Sequence, residues 1–143
     1  MSARTLYGLL TFALFTASCS TIRLNRADRA FGLMQYPKAE GIYERMLRAN
    51  DDRTARARLA HAYLSHNELQ KAALHYGTLH THHPLTGDTA LQYGRALMGL
   101  GRTAEAADMF YRVLQHTPEN RLAQDLFESA QGYQTFFKDS SRY

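Results

Sequence analysis

Four histidines, His75, His80, His82 and His83, crowd one short stretch of the chain. Imidazoles at that density can ligate a transition metal. A ligand set needs completing, however, and the stretch from 75 to 83 holds no carboxylate and no cysteine. These residue types predict an ordinary packed or solvated role and no metal. The adjacent acids Asp51 and Asp52 are the other candidate for chemistry. General acid–base work needs two carboxylates facing each other across a cleft, whereas neighbours in sequence at a helix boundary shape a turn. Arg53, Arg56 and Arg58 are close enough to meet phosphates. There is no Gly-rich phosphate loop, no GxSxG and no HExxH. The residues therefore predict no catalytic group, no cofactor and no enzyme.

Composition narrows the class. The chain has 143 residues, with 45% apolar residues, 9 Gly and 3 Pro, enough for one small globular unit. Its formal charge of +4 comes from arginines scattered along the chain rather than from a polybasic tail. A single cysteine, Cys19, excludes an internal disulfide framework and any multi-cysteine metal site.

The position of that cysteine is informative. Arg4 is followed by an apolar run from Leu6 to Ala17, the pattern of a signal peptide over residues 1–18. As a helix the run would reach roughly 18 Å, too short for a hydrocarbon core of about 30 Å. Removal fits better than anchoring. Thr16, Ala17 and Ser18 before Cys19 resemble the lipobox of bacterial lipoproteins, with Thr16 where that family prefers Leu. The resemblance implies that Cys19 is lipidated and becomes the new N-terminus, and that Ser20, in place of an aspartate, directs the protein to the periplasmic side of the outer membrane. Such a leader also takes the chain away from cytoplasmic nucleic acid, so no nucleic-acid partner is expected. Arg23, Arg26 and Arg29 follow at steps of three. They form either a solvated helix face or one that meets anionic head groups.

Beyond the leader the chain matches itself at one offset. Ala60 and Gly94, Tyr63 and Leu97, Ala72 and Ala106, Tyr76 and Phe110, and Pro84 and Pro118 are each 34 apart. Ala39 and Tyr43 fall 33 before Ala72 and Tyr76. A period of this size signals a stacked array. Within it, apolar residues recur at three and four, as in helices. Gly101 and Asn67 occupy slots where a helix ends in a left-handed residue, and Pro84 and Pro118 close second helices. Each period predicts two helices and a turn.

These residues resemble the tetratricopeptide repeat. Repeat 2, about 53–86, carries Leu59, Ala60, Tyr63, Ala72, Tyr76 and Pro84; repeat 3, about 87–120, carries Gly94, Leu97, Gly101, Ala106, Phe110 and Pro118. Repeat 1, about 20–52, keeps Ala27, Tyr36, Ala39 and Tyr43, but has Arg26 where Leu is usual and Asp51–Asp52 in place of the closing proline. Residues 121–137, with Leu122, Leu126, Phe127 and Ala130 on one side, predict a solvating cap helix, and 138–143 a tail. The expected fold is an all-α solenoid of about three helix-turn-helix repeats plus the cap, spanning 19–137.

In such an array the first helices line the concave face, where peptides bind. The register puts Phe31, Leu64 and Met98 there as an apolar row, flanked by a polar row of Asp28, His61 and Arg95. The competing reading is that the apolar row packs under neighbouring helices. As groove anchors, each would contribute roughly 1.5–3 kcal/mol on burial, enough for a micromolar partner. By architecture the chain resembles short tetratricopeptide lipoproteins of the pilotin and pilus-assembly kind, of type IV or Tad pili. That resemblance implies a scaffold that holds a protein segment of an envelope machine, a secretin or pilus component. Polysaccharide export, outer-membrane protein assembly and cell-wall synthesis are the alternative settings.

Overall fold

A computed structural model describes residues 21–140, with side chains through residue 134. The leader at 1–18, Cys19 and the end of the predicted tail at 141–143 lie outside the described residues. Among those described there are seven helices and no strand. They are α1 (21–32), α2 (Tyr36–Ala49), α3 (Arg53–Ser65), α4 (Leu69–His82), α5 (Gly87–Gly99), α6 (Thr103–His116) and α7 (Arg121–Ser140). From α2 to α7 each helix packs on the next, and α3 also touches α5. No comparable contact joins α4 to α6. First helices that touch across repeats, beside second helices that do not, bend the array toward α1, α3 and α5.

The helices stop where the residue types allow a left-handed turn. Met34, Asn67 and Gly101 all have positive φ, at 57°, 61° and 75°. In each turn the next amide reaches back five residues, Gln35 to Ala30, Glu68 to Tyr63 and Arg102 to Leu97, at 3.0, 2.8 and 2.9 Å. This double-bonded end satisfies carbonyls that the helix leaves open. Glycine has no Cβ and asparagine's short polar side chain bonds locally, but the Cβ of methionine crowds the carbonyl oxygen that follows. Met34 is 76% exposed, so its side chain returns little packing for that strain. Met34→Gly is expected to stabilise the fold by about 1 kcal/mol, read as a rise in melting temperature of about 4 °C. Starts are built as plainly. The Asp52 carboxylate accepts a bond from the Ala55 amide at 2.7 Å, and the Asn120 side chain accepts one from the Ala123 amide at 3.0 Å.

Small residues set how closely the helices approach. Ala27, Ala39, Ala60, Ala72 and Ala106 are fully buried, and Tyr43, Tyr76 and Phe110 fill the space between them. In repeat 3 the approach is closest. A Cβ on Gly94 would stand 2.5 Å from a ring carbon of Phe110, inside van der Waals contact. Glycine is required there by space rather than by backbone angle.

Repeat 1 departs from the pattern for a geometric reason. The position that holds Leu59 in α3 and Tyr93 in α5 is buried against the preceding repeat, as the ring contact of Tyr93 with Tyr76 shows. In α1 the same position is Arg26, and its side chain is exposed. An exposed position carries a polar side chain at little cost.

The cap differs from expectation in two details. Leu122, placed by its spacing on the packing side, is 52% exposed, and the fully buried Ala123 and Ala130 take that side with Leu126 and Phe127 half-buried beside them. Alanines let α7 lie close on α6 in the manner of the other small positions. The helix also continues through Ser140 rather than ending at 137, because no glycine or proline interrupts Lys138, Asp139 and Ser140. No helix among the described residues is long and apolar enough to cross a membrane.

Candidate functional site

The inner face is built by α1, α3 and α5, and the turns described above fix their register. Phe31, Leu64 and Met98 take equivalent places, each the last residue but one of its helix. All three are half-buried and pack against the core with one side. Each side chain supports its neighbours and keeps an open edge. Phe31 is tied across the face, its ring 5.1 Å from that of His61 and 5.5 Å from that of Tyr36.

The polar row forms two linked groups. Asp28 accepts a hydrogen bond from the Tyr43 hydroxyl and lies 3.8 Å from the Arg58 guanidinium. Farther along, the Gln92 amide donates to Asp88 at 3.0 Å, and its oxygen accepts from Arg95 at 2.8 Å. His61 sits between these groups. Arg95 is exposed, and beyond its hydrogen bond to Gln92 its guanidinium meets no carboxylate among the described residues. The face thus offers apolar edges beside one paired and one unpaired guanidinium.

Burial shifts the titration of the aromatic groups here. Desolvation drives the Tyr43 hydroxyl well above its ordinary value, assisted by its hydrogen bond to Asp28, so it stays a donor. His61 is lowered first by burial; Asp88 opposes this while Arg95 and Arg58 add to it. His75 is likewise lowered by burial and then by Arg56, against Glu44 and Asp51. Both imidazoles resist protonation when folded, whereas the unfolded chain takes up protons near the ordinary value of about 6.5. Stability is then complete above that value and falls as pH drops below it. Urea unfolding at pH 7.5 and 5.5 is expected to show this loss, and His61→Gln with His75→Gln to reduce it.

The four histidines separate rather than converge. His75 stacks on Tyr63 with ring centres 5.7 Å apart and lies 3.3 Å from Arg56. His80 accepts a long hydrogen bond from the Leu85 amide, 3.4 Å, as α4 gives way to the next repeat. His82 and His83 are exposed and border an open cavity of about 310 Å³ with Asp51, Arg53, Arg56 and Leu79. Among the described residues no three His, Cys, Asp or Glu side chains are placed to hold a metal. The acidic pair divides its work, Asp52 capping α3 and Asp51 binding Arg56 at 2.6 Å. Arg56 is thereby turned back toward α4 while Arg58 projects toward Asp28. The three neighbouring arginines do not form one phosphate-reading edge.

Arg58 was read only as one of three arginines that could meet phosphates, and Gln92 and Asp88 were not singled out by type or spacing in the sequence. A signal for the first two existed. Arg58 and Gln92 are 34 apart, the same period as the rest of the array, three residues before His61 and Arg95.

Paired helices stacked on a 34-residue period, small residues at the crossings and a curved inner face define an all-α repeat solenoid of the tetratricopeptide-repeat fold. Solved structures agree. The Arabidopsis OM64 TPR domain is similar at 22% identity, with a TM-score of 0.69 over 80% of this chain and 95% of that domain. The first TPR of Spaghetti (RPAP3), bound to the HSP90 peptide SRMEEVD, is similar at 17% identity and a TM-score of 0.75 over 81% of this chain and 93% of its own. The second TPR domain of human RPAP3, in complex with the HSP70 peptide SGPTIEEVD, is similar at 21% identity and a TM-score of 0.66, over 78% and 98%. No protein-family model and no curated protein matches the chain. At these identities the likeness concerns the fold.

Proposed function

We propose that this chain is a lipid-anchored scaffold of the bacterial envelope that holds a peptide segment of a larger assembly on the face of α1, α3 and α5. The observation that carries it is the row of half-exposed Phe31, Leu64 and Met98 beside Arg58, His61 and Arg95. A segment laid along that row buries apolar side chains at successive repeats and brings a carboxylate to Arg95. Structurally similar domains hold short peptides ending in acidic and apolar residues, which supports this mode of use. A charge-assisted hydrogen bond fixes orientation, and apolar burial supplies most of the affinity.

The anchor is Cys19, and the assembly it serves is the secretin or pilus machinery of the outer membrane. Tethering both partners to one membrane raises their effective concentration, so a micromolar groove suffices. No step of this function is catalytic, and none requires a cofactor. The reading is tested by crosslinked purification of the full chain from native membranes, with co-purifying proteins identified by mass spectrometry. A secretin or pilus component is expected with the wild type. Components of polysaccharide export, outer-membrane protein assembly or cell-wall synthesis would move the scaffold to another machine. Cys19→Ser is expected to leave the washed membrane fraction while keeping its helical circular dichroism, and its retention there would contradict the anchor.

A further inference from the structure

The outer side of α1 has a composition that neither the repeat core nor the inner face explains. Ile22, Arg26, Arg29 and Leu33 are spaced four, three and four residues apart, and the Leu33 amide still bonds back to Arg29 at 3.1 Å as the turn begins, which aligns the four on one stripe of α1 and its end. The stripe turns away from the buried Ala27 and Ala30. Its apolar ends are unusually open, with Ile22 67% and Leu33 61% exposed, and the exposed Met34 follows at the turn. Arg26 and Arg29 between them, and Arg23 alongside, are exposed, and among the described residues none of the three side chains has a carboxylate partner. Basic groups flanked by apolar ones on one helical face suit the boundary between head groups and acyl chains.

Chain length fixes where this stripe must be. Ile22 is three chain steps from Cys19, at most about 11 Å when fully extended. A lipid on Cys19 would therefore hold the start of α1 within about one Debye length of the head groups, where charge on the helix is still felt. We propose that the stripe Ile22, Arg26, Arg29 and Leu33 lies flat on an anionic phospholipid surface. The tether rests on the anchoring at Cys19 proposed above; the contact rests on the stripe. Asp28 and Phe31 point to another side of α1, so the array docks by its first helix and keeps its peptide face open.

The sequence has no tryptophan, so a single one is a clean reporter. The full chain carrying Leu33→Trp, and separately Tyr133→Trp on the cap helix, is reconstituted into vesicles of phosphatidylglycerol with phosphatidylcholine and into phosphatidylcholine alone, each with brominated lipid as quencher. The tryptophan at 33 is expected to shift to the blue and to be quenched at least about twofold more with phosphatidylglycerol present, while the one at 133 stays unquenched. Arg26→Glu with Arg29→Glu is expected to abolish the difference without loss of helical circular dichroism. Quenching at 33 no greater than at 133, or unchanged by charge reversal in a folded variant, overturns the proposal. Mass spectrometry of the Cys19 peptide from the same sample separates the two readings. Acylated Cys19 with an unquenched reporter removes the docking face alone, and unmodified Cys19 with a quenched reporter removes the anchor alone.

Discussion

Phe110→Ala lowers the free energy of unfolding by about 3–5 kcal/mol, the largest effect expected of any single truncation here. The side chain is fully buried and fills the crossing of α5 and α6 opposite Gly94. Against a total stability of about 5–15 kcal/mol, this loss takes much of the folded population. The cost has a diagnostic partner. Gly94→Ala gains about 1 kcal/mol of helix propensity but drives a methyl group into the ring, for a net loss of about 1–2 kcal/mol. In a Phe110→Leu background the methyl group has room, and the same change becomes neutral or stabilising. Urea unfolding of the four proteins closes this cycle. Equal effects of Gly94→Ala in both backgrounds would show that the ring does not set the helix spacing.

Reversing charge or polarity on the inner face is expected to have the largest functional effect. Arg95→Glu changes an exposed side chain whose one hydrogen bond is to Gln92, so the fold has little reason to respond. It places a negative group where the bound segment brings its own carboxylate. Met98→Glu removes an apolar edge from the row of Phe31, Leu64 and Met98, and its half-buried position lets the new carboxylate reach water. Each variant is expected to weaken partner capture at least tenfold, about 1.4 kcal/mol or more. Circular dichroism should show helicity unchanged. A Met98→Glu protein that loses its helical signal would make Met98 a core residue, and Arg95→Glu would then decide the matter alone.

Much of the architecture is legible in the sequence because the repeat writes each constraint more than once. Ala60 over Gly94 and Tyr76 over Phe110 reveal crossings, and Asn67 over Gly101 reveals turns. Met34 is harder to read, since a methionine in a left-handed turn contradicts local preference and is imposed by the helices on either side. Leu122 was misplaced for a related reason. Leucine and alanine both suit a packing face, and only the closeness of α6 selects Ala123 over it. The site was legible by position but not by connection. Repeat register placed Asp28, His61 and Arg95 on the first helices, while the Tyr43 contact depends on how α1 and α2 pair and the Arg58 contact on how adjacent repeats meet; the Gln92 bond to Arg95 is local to α5. Histidine density misleads for the opposite reason: one helix turns His80 away from His75 and His82, and holds those two about 10 Å apart, two turns along one side.

The most direct test of the inner face as the binding surface is site-specific photocrosslinking of the full chain in its native membrane. A photoreactive residue is placed at Arg95 or Met98 on α5, and in separate proteins at the exposed Leu74 on α4 or Tyr111 on α6. A single crosslinked partner from positions 95 and 98, absent from 74 and 111, is the expected result. Crosslinks to that partner from Leu74 and Tyr111 but not from α5 would place binding on the second helices and contradict the assignment of the inner face.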